Sequence, residues 1–282
     1  MIYLDNAATT RPSDGALARA QHFLTECYYN PSALYGGGAE AGRLLTEARS
    51  FLVSRIADPA QFSLVFTSCG TEADNQAIFS AARRGNAVTT QGEHAAVYES
   101  FKELKNRGVE PRFAPVRADG SVDADALIER VDAETSLVSV IHVSNETGAI
   151  NDIAQIARRV KQKNPRAVFM SDGVQAFGKI DVRLTKEIDL YTVSAHKIGG
   201  LKGTGALLRR KNYTALSPYL HGGGQENGLR SGTENVFGIA CFYYAAQEKF
   251  SSMAEDGVRL AQAKERLWEL LDKKIYSLIS PQ

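Results

Sequence analysis

The chain has 282 residues, with 33 Lys and Arg against 32 Asp and Glu and a formal net charge of +1. That balance lacks the concentrated basic surface that nucleic-acid binding needs, no apolar run reaches the roughly 18 residues of a membrane span, and Met1-Ile2-Tyr3-Leu4-Asp5 has neither region of a secretory signal. Cys27, Cys69 and Cys241 are scattered and form neither a disulfide framework nor a zinc pattern, so a reducing cytoplasm is the expected home and no metal is expected.

Along the chain, strand-like and helix-like stretches alternate, which predicts an α/β layered sheet. Leu64-Val65-Phe66-Thr67 reads as a strand, followed by a helix from about Thr71 to Arg84. Ala87-Val88-Thr89-Thr90 is the next strand, and Ala96 to Arg107 a helix closed by Gly108. Pro111 to Pro115 is weakly strand-like, and Asp123 to Val131 a short helix. Leu137 to His142 is continuously apolar, as in a strand covered on both faces. Ile153 to Lys163 is an amphipathic helix ended by Asn164-Pro165. Val168-Phe169-Met170, Leu190 to Val193 and Gly205 to Leu208 are further strands. Ser252 to Tyr276 reads as one long helix, with Val258, Leu260, Ala261, Leu267, Leu270 and Leu271 on its apolar face.

Chemistry-bearing residues cluster just past the strands, where open α/β sheets bind ligands. Asp172 follows one strand and Lys197 the next. An amine that can form a Schiff base and a carboxylate that can hold a pyridinium nitrogen protonated are what pyridoxal phosphate needs. Thr67-Ser68-Cys69-Gly70-Thr71-Glu72 joins a strand to a helix. It fits an anion site at the helix N-terminus, and equally an ordinary Thr-capped turn. His94 can stack on a flat ring and carry a proton, or simply start a helix. Asn145 is a donor past the buried strand, or a turn residue ahead of Gly148. Gln175 lies three residues beyond Asp172, Ser194 and His196 precede Lys197, and Ile198 to Gly205 is glycine-rich without being a nucleotide loop. His221 to Glu226 and Arg230-Ser231-Gly232-Thr233 are either a mobile loop or an anion loop offered to a neighbouring subunit.

Taken in order, these motifs resemble the cysteine desulfurases, a branch of the class V aminotransferases with the type I pyridoxal-phosphate fold. The resemblance runs from Tyr3-Leu4-Asp5-Asn6-Ala7-Ala8-Thr9-Thr10 through Asn30-Pro31-Ser32, Thr67 to Asn75, Glu93-His94, Asn145 to Gly148, Asp172 to Gln175 and Ser194 to Lys197 to Arg230 to Thr233. It implies a mostly parallel seven-stranded sheet with helices on both faces, residues 1–250 being the cofactor-binding large domain with an N-terminal arm. Pyridoxal 5'-phosphate would be carried covalently by Lys197, which would also move the substrate's Cα proton. Asp172 would pair with the ring nitrogen and Gln175 with the ring oxygen. His94 would stack on the ring. Gly70, Thr71, Ser194 and His196 would hold the phosphate. Asn145 would reach the substrate carboxylate, and Thr233 the phosphate of a partner copy in a homodimer.

The implied reaction takes sulfur from L-cysteine to leave alanine, with a sulfur-acceptor or iron–sulfur scaffold protein as the recipient. A selenocysteine lyase or other β-eliminating lyase is the related alternative. The family's small C-terminal domain carries the persulfide cysteine and a carboxylate-binding arginine. With residues 251–282 read as a helix leading toward that domain, the expectation is a truncated small domain, and a truncated or split subunit that holds cofactor without turnover is the alternative to the complete enzyme. Tyr35 stands where the family often has histidine. Cys69 is expected behind the phosphate loop and Cys241 on a buried helix face. Cys27 is the hardest to set aside as a sulfur acceptor, although buried, inert cysteine is the default for all three.

Overall fold

The computed structural model describes residues 2–280. Short β-branched and aromatic runs, bounded by turn residues, alternate with stretches of helical periodicity, and the chain folds accordingly. In order the elements are α1 (Asp14–Ala20), α2 (His22–Thr25), α3 (Gly36–Ile56), β1 (Phe62–Thr67), α4 (Gly70–Ala81), β2 (Asn86–Thr90), α5 (Ala95–Leu104), β3 (Glu110–Ala114), α6 (Ala124–Glu129), β4 (Thr135–Ser139), α7 (Ile153–Lys163), β5 (Val168–Asp172), β6 (Leu190–Ser194), β7 (Gly205–Arg210) and α8 (Val236–Leu270).

The strands form one sheet in the order β1-β7-β6-β5-β4-β2-β3. Only β7 runs against its neighbours, β1 and β6, and every other pairing is parallel. Parallel strands need crossovers, and the crossover helices cover both faces. Alternation along each strand divides the core. Phe62, Leu64, Phe66, Tyr191 and Val193 pack with α3, α6, α7 and α8 on one face. Val65, Leu137, Leu190 and Leu207 pack with α4 and α5 on the other.

The structure departs from the sequence expectations in three places. The first is a group of helices, α1 to α3, that the periodicity of residues 14–56 had not signalled. The 21-residue α3 opens on Gly36-Gly37-Gly38. The second is β4, which ends at Ser139 rather than His142. The chain still runs beside β5, because Val140 N donates to Met170 O and His142 N to Asp172 O. The third is α8, which begins sixteen residues earlier than Ser252 and ends at Leu270. Its first half is buried, with Cys241 and Phe242 in the core, while Val258, Leu260, Leu267 and Leu270 are exposed.

Candidate functional site

The site is built at the carboxyl ends of β5 and β6. These strands are parallel neighbours with Asp172 in register with Thr192. Asp172 is the last residue of β5, and β6 ends at Ser194, from which a single helical turn, Ala195–Lys197, carries the lysine to the same edge of the sheet. The turn after Asp172 needs glycine for a specific reason. A Cβ on Gly173 would lie 1.9 Å from Cζ of Tyr191, whose fully buried ring supports the turn. Tyr191 is held in place by a 2.8 Å hydrogen bond between its hydroxyl and His142 Nδ1. Burial lowers the His142 pKa to about 4, so that imidazole is neutral.

Asp172 is 4% exposed, and its Oδ1 accepts from Val174 N at 2.9 Å. Burial pushes its pKa up, while the Val174 amide, His94 and Lys197 oppose the shift. Two further carboxyls, on Asp74 of α4 and on Glu93 before α5, are buried nearby. Asp74 Oδ1 accepts from Thr192 Oγ1 at 2.7 Å. Glu93 Oε1 accepts from Ile141 N at 2.9 Å and from Thr90 Oγ1 at 3.0 Å, while its Oε2 has no partner. Burial first, and repulsion from Asp172 second, raise the Asp74 pKa well above the usual carboxylate range. Burial, together with Asp172, raises Glu93 to about 8. Of the three, Asp172 is the one whose upward shift is opposed by neighbouring His94 and Lys197. Sequence reasoning included Asp74 and Glu93 within its motifs but gave neither a role. Their signal is tertiary burial, which no local pattern in α4 or before α5 betrays.

Lys197 emerges beside the N-terminal arm. Its Nζ donates to Ala7 O at 2.6 Å and to Ala8 O at 2.8 Å. The arm is clamped to the lysine turn, because Thr10 N donates to His196 O at 2.8 Å and Gly199 N to Thr10 Oγ1 at 2.7 Å. Burial lowers the Lys197 pKa, with Asp172 and Asp5 pulling the other way. Gln175 Nε2 donates to the same Ala7 carbonyl at 2.8 Å, and its Oε1 accepts from Lys179 Nζ at 2.6 Å. Lys179, missed by the sequence reading, has its pKa lowered to about 8 by burial and by Lys197 and Lys249. Lys197, Lys179, Asn6 and Ala7 open on a cleft of about 580 Å³ bounded on its far side by α8.

Beside this pair lies an anion cradle. Cys69 caps α4, its Sγ accepting from Glu72 N at 3.4 Å. Gly70 starts the helix beside β6, where a Cβ would lie 2.9 Å from Val174 Cγ2 and in ordinary contact with Ser194 Cβ. Ser194 is 2% exposed and its hydroxyl has no hydrogen-bond partner. An orphaned hydroxyl beside the free amides of a helix N-terminus is the arrangement that an anion completes. These residues therefore fit the phosphate of the group that Asp172 and Lys197 would hold.

The remaining expected residues are less tightly gathered. His94 caps α5, its Nδ1 accepting from Ala96 N at 3.1 Å, and it faces Asp172 while lining an open recess with Thr71. His196 Nδ1 is 3.0 Å from Thr9 Oγ1, so one of its nitrogens is engaged by the arm, and burial lowers its pKa. Asn145 spends its amide on Glu146 at 2.8 Å and makes no hydrogen bond to Asp172, Gln175 or Lys197. Thr233 is exposed, on a loop pinned from behind. Arg230 Nε donates to buried Glu72 at 2.9 Å, and buried Glu226 takes a pair of hydrogen bonds from Arg49. The 221–233 loop is thus anchored rather than mobile, and its one arginine is committed to a carboxylate.

The sheet order, the strand-end pair and the cradle define a fold shared with known proteins. The chain belongs to the aminotransferase class-V family, whose sequence profile matches residues 2–278. Within that family its relatives are cysteine desulfurases. It is 37% identical to the cysteine desulfurase of Nostoc sp. (strain PCC 7120) over 98% of this chain and 69% of that protein. It is 35% identical to the cysteine desulfurase IscS of Dictyoglomus turgidum over 97% of this chain and 70% of that protein. Among solved structures, a NifS-like protein superposes with a TM-score of 0.90 at 35% identity, covering 95% of this chain and 74% of that one. The NifS-like protein of Rickettsia africae gives 0.89 at 31% identity, covering 98% and 76%. The fold is accordingly the large-domain fold of the type I pyridoxal-phosphate enzymes, as the sequence led us to expect.

Proposed function

We propose that the chain binds pyridoxal 5'-phosphate at Lys197 and is built to take sulfur from L-cysteine, leaving alanine. The observation that carries this reading is the convergence of buried Asp172, the Lys197 amine and the unpartnered Ser194 hydroxyl at two adjacent strand ends. The bound cofactor supplies an electron sink for charge developing at the substrate Cα. Asp172, with Lys197 and His94 opposing the effect of its burial, would keep the ring nitrogen protonated. Gln175 Nε2 donates to the ring oxygen, and His94 covers the ring face. Gly70, Thr71, Ser194 and His196 hold the phosphate. Lys197, with its lowered pKa, anchors the cofactor and moves the proton at Cα. Asn145 turns toward the substrate carboxylate once substrate competes for its amide. Thr233, exposed on an anchored loop, reaches the phosphate of a second copy, so the working unit is a homodimer.

A second reading of the same site is favoured by the cysteines. Among the described residues none lines the Lys197 cleft. Cys27 and Cys241 are buried, and burial raises Cys241 to about 11. Cys69 is engaged as a helix cap. The sulfur leaving the substrate would therefore pass to a thiol outside the described residues, and without such a thiol the chain would hold cofactor but turn over slowly. No helix among the described residues is long and apolar enough to cross a membrane, and a cytoplasmic acceptor suits the reduced thiols.

The test is direct. Added pyridoxal phosphate should give visible absorbance that Lys197→Ala abolishes. Alanine should form from cysteine with an external thiol present and fall sharply without it. A colourless protein would sink the cofactor assignment, and equal turnover with and without external thiol would sink the acceptor assignment.

A further inference from the structure

The turn between α2 and α3 gathers side chains that the desulfurase reading does not use. The chain closes sharply after α2, with Glu26 N and Cys27 N both donating to His22 O at 3.0 and 2.8 Å. This brings His22, Glu26 and Cys27 to one side of a single turn. The start of α3 returns across them with Glu40. Its approach depends on Gly37, where a Cβ would lie 2.1 Å from the ring of Tyr29. The result is that the ligand atoms of His22, Cys27 and Glu40 all lie within 4.8 Å of one another. His22 Nε2 is 2.8 Å from Glu40 Oε1, and its Nδ1 is 3.4 Å from Glu26 Oε2. Cys27 is 2% exposed, and its Sγ has only a 3.6 Å contact to Gly37 O.

We propose that this cluster is a zinc site, with His22 Nε2, Cys27 Sγ and the Glu40 carboxylate as ligands and a solvent molecule in the fourth position. Tetrahedral zinc holds nitrogen, oxygen and sulfur donors at roughly 2.0–2.3 Å, so small side-chain adjustments bring these three into range. Glu26 sits on the far nitrogen of His22, where a carboxylate orients a metal-bound imidazole and fixes its tautomer. The thiolate selects a borderline-soft ion over magnesium or calcium. The scaffold beneath is firm, since Ala20 and Leu44 pack against Ala240 and Cys241 of α8. The outer side is accessible, because the His22 and Glu40 side chains are 43% and 44% exposed.

Zinc binds the thiolate and the neutral imidazole, so its uptake releases protons. The spacing is invisible in the sequence because Glu40 comes from a second helix that only the fold brings back. The competing arrangement is a His22–Glu40 ion pair beside an inert thiol, and cobalt spectroscopy separates the two.

The metal-free full chain is titrated with Co²⁺ as the spectroscopic stand-in for Zn²⁺. The expected result is a thiolate-to-cobalt charge-transfer band with the strong visible bands of four-coordinate cobalt, saturating at one equivalent. Zn²⁺ should bleach it and Mg²⁺ should not. Cys27→Ser should abolish the charge-transfer band and Cys69→Ser should leave it. His22→Gln and Glu40→Gln should each weaken Zn²⁺ binding by about tenfold or more in competition with a chromophoric chelator. These two partly exposed positions carry the test if Cys27→Ser folds poorly. Absence of the band in the wild type, its survival in Cys27→Ser, or unchanged Zn²⁺ affinity in both surface variants would overturn the proposal.

Discussion

Lys179 Nζ donates to Gln175 Oε1 at 2.6 Å and thereby determines which end of the Gln175 amide faces the Lys197 cleft. With its oxygen held by an ammonium, the amide can only donate into the site, and its Nε2 now does so to Ala7 O. A ring oxygen carrying negative charge needs a donor at that point. A hydrogen bond from a charged donor contributes roughly 1.5–3 kcal/mol. Lys179→Met is therefore expected to weaken retention of pyridoxal phosphate by about tenfold or more. Lys179→Arg should recover part of the loss. A spectral titration of apoprotein with cofactor checks this, and equal affinities for wild type and Lys179→Met would remove Lys179 from the site.

Glu93 predicts how stability follows pH. Its pKa rises from an ordinary 4.5 in the unfolded chain to about 8 in the fold, chiefly through burial. The folded state therefore holds more protons than the unfolded state between those values. Stability is greatest below the lower one and is lost as pH climbs through the upper one. Glu93→Gln keeps an acceptor for Ile141 N but cannot ionise. It should lose less stability than the wild type between pH 5 and pH 8 in denaturant titrations. Asp74 acts in the same sense, so the slope should flatten without vanishing. A wild-type midpoint that rises over this window would contradict the assignment.

The strand-end chemistry was legible because it is local. Asp172, Gln175, Ser194 and Lys197 each stand a fixed number of residues past an apolar run, and the bounds of α7 were read to the residue from its period and from Asn164-Pro165. What escaped was either nonlocal or unpunctuated. Asp74, Glu93 and Lys179 look like surface charges until the sheet buries them. The start of α8 at Val236 is hidden because Val236 to Ala246 is apolar on nearly every side, which erases the helical period. Helix α3 is hidden by its three opening glycines. These are tolerated because α3 packs against Tyr29 and Ala33 too closely for side chains at Gly37 and Gly38.

The two halves of α8 should respond oppositely to mutation. Phe242 is fully buried against Phe177, and truncating a buried phenylalanine to alanine costs about 3–5 kcal/mol. Leu260, Leu267 and Leu270 are 64%, 59% and 67% exposed. Replacing them with glutamate removes apolar surface from water without disturbing the core. Folding free energy should change by about 0.5 kcal/mol or less, while solubility improves. Denaturation of Phe242→Ala beside the triple glutamate variant checks the contrast. A large loss in the triple variant would mean that the leucines are covered in solution.

Ser194→Ala should act with opposite signs in the two states of the protein. Without cofactor the Ser194 hydroxyl is buried and unpartnered, and such a group costs about 1–3 kcal/mol of desolvation. Removing it should leave the apoprotein as stable as the wild type or more so. On the proposed reading, with cofactor bound the hydroxyl would donate to phosphate, a charge-assisted bond stronger than a neutral one. The same substitution should then weaken cofactor binding and shrink the rise in melting temperature that cofactor produces. A residue with a purely structural role would move both states together. The measurement is a pair of thermal denaturation curves for each protein, with and without pyridoxal phosphate. A uniform loss of stability in both would place Ser194 in the packing of β6 rather than in the anion cradle.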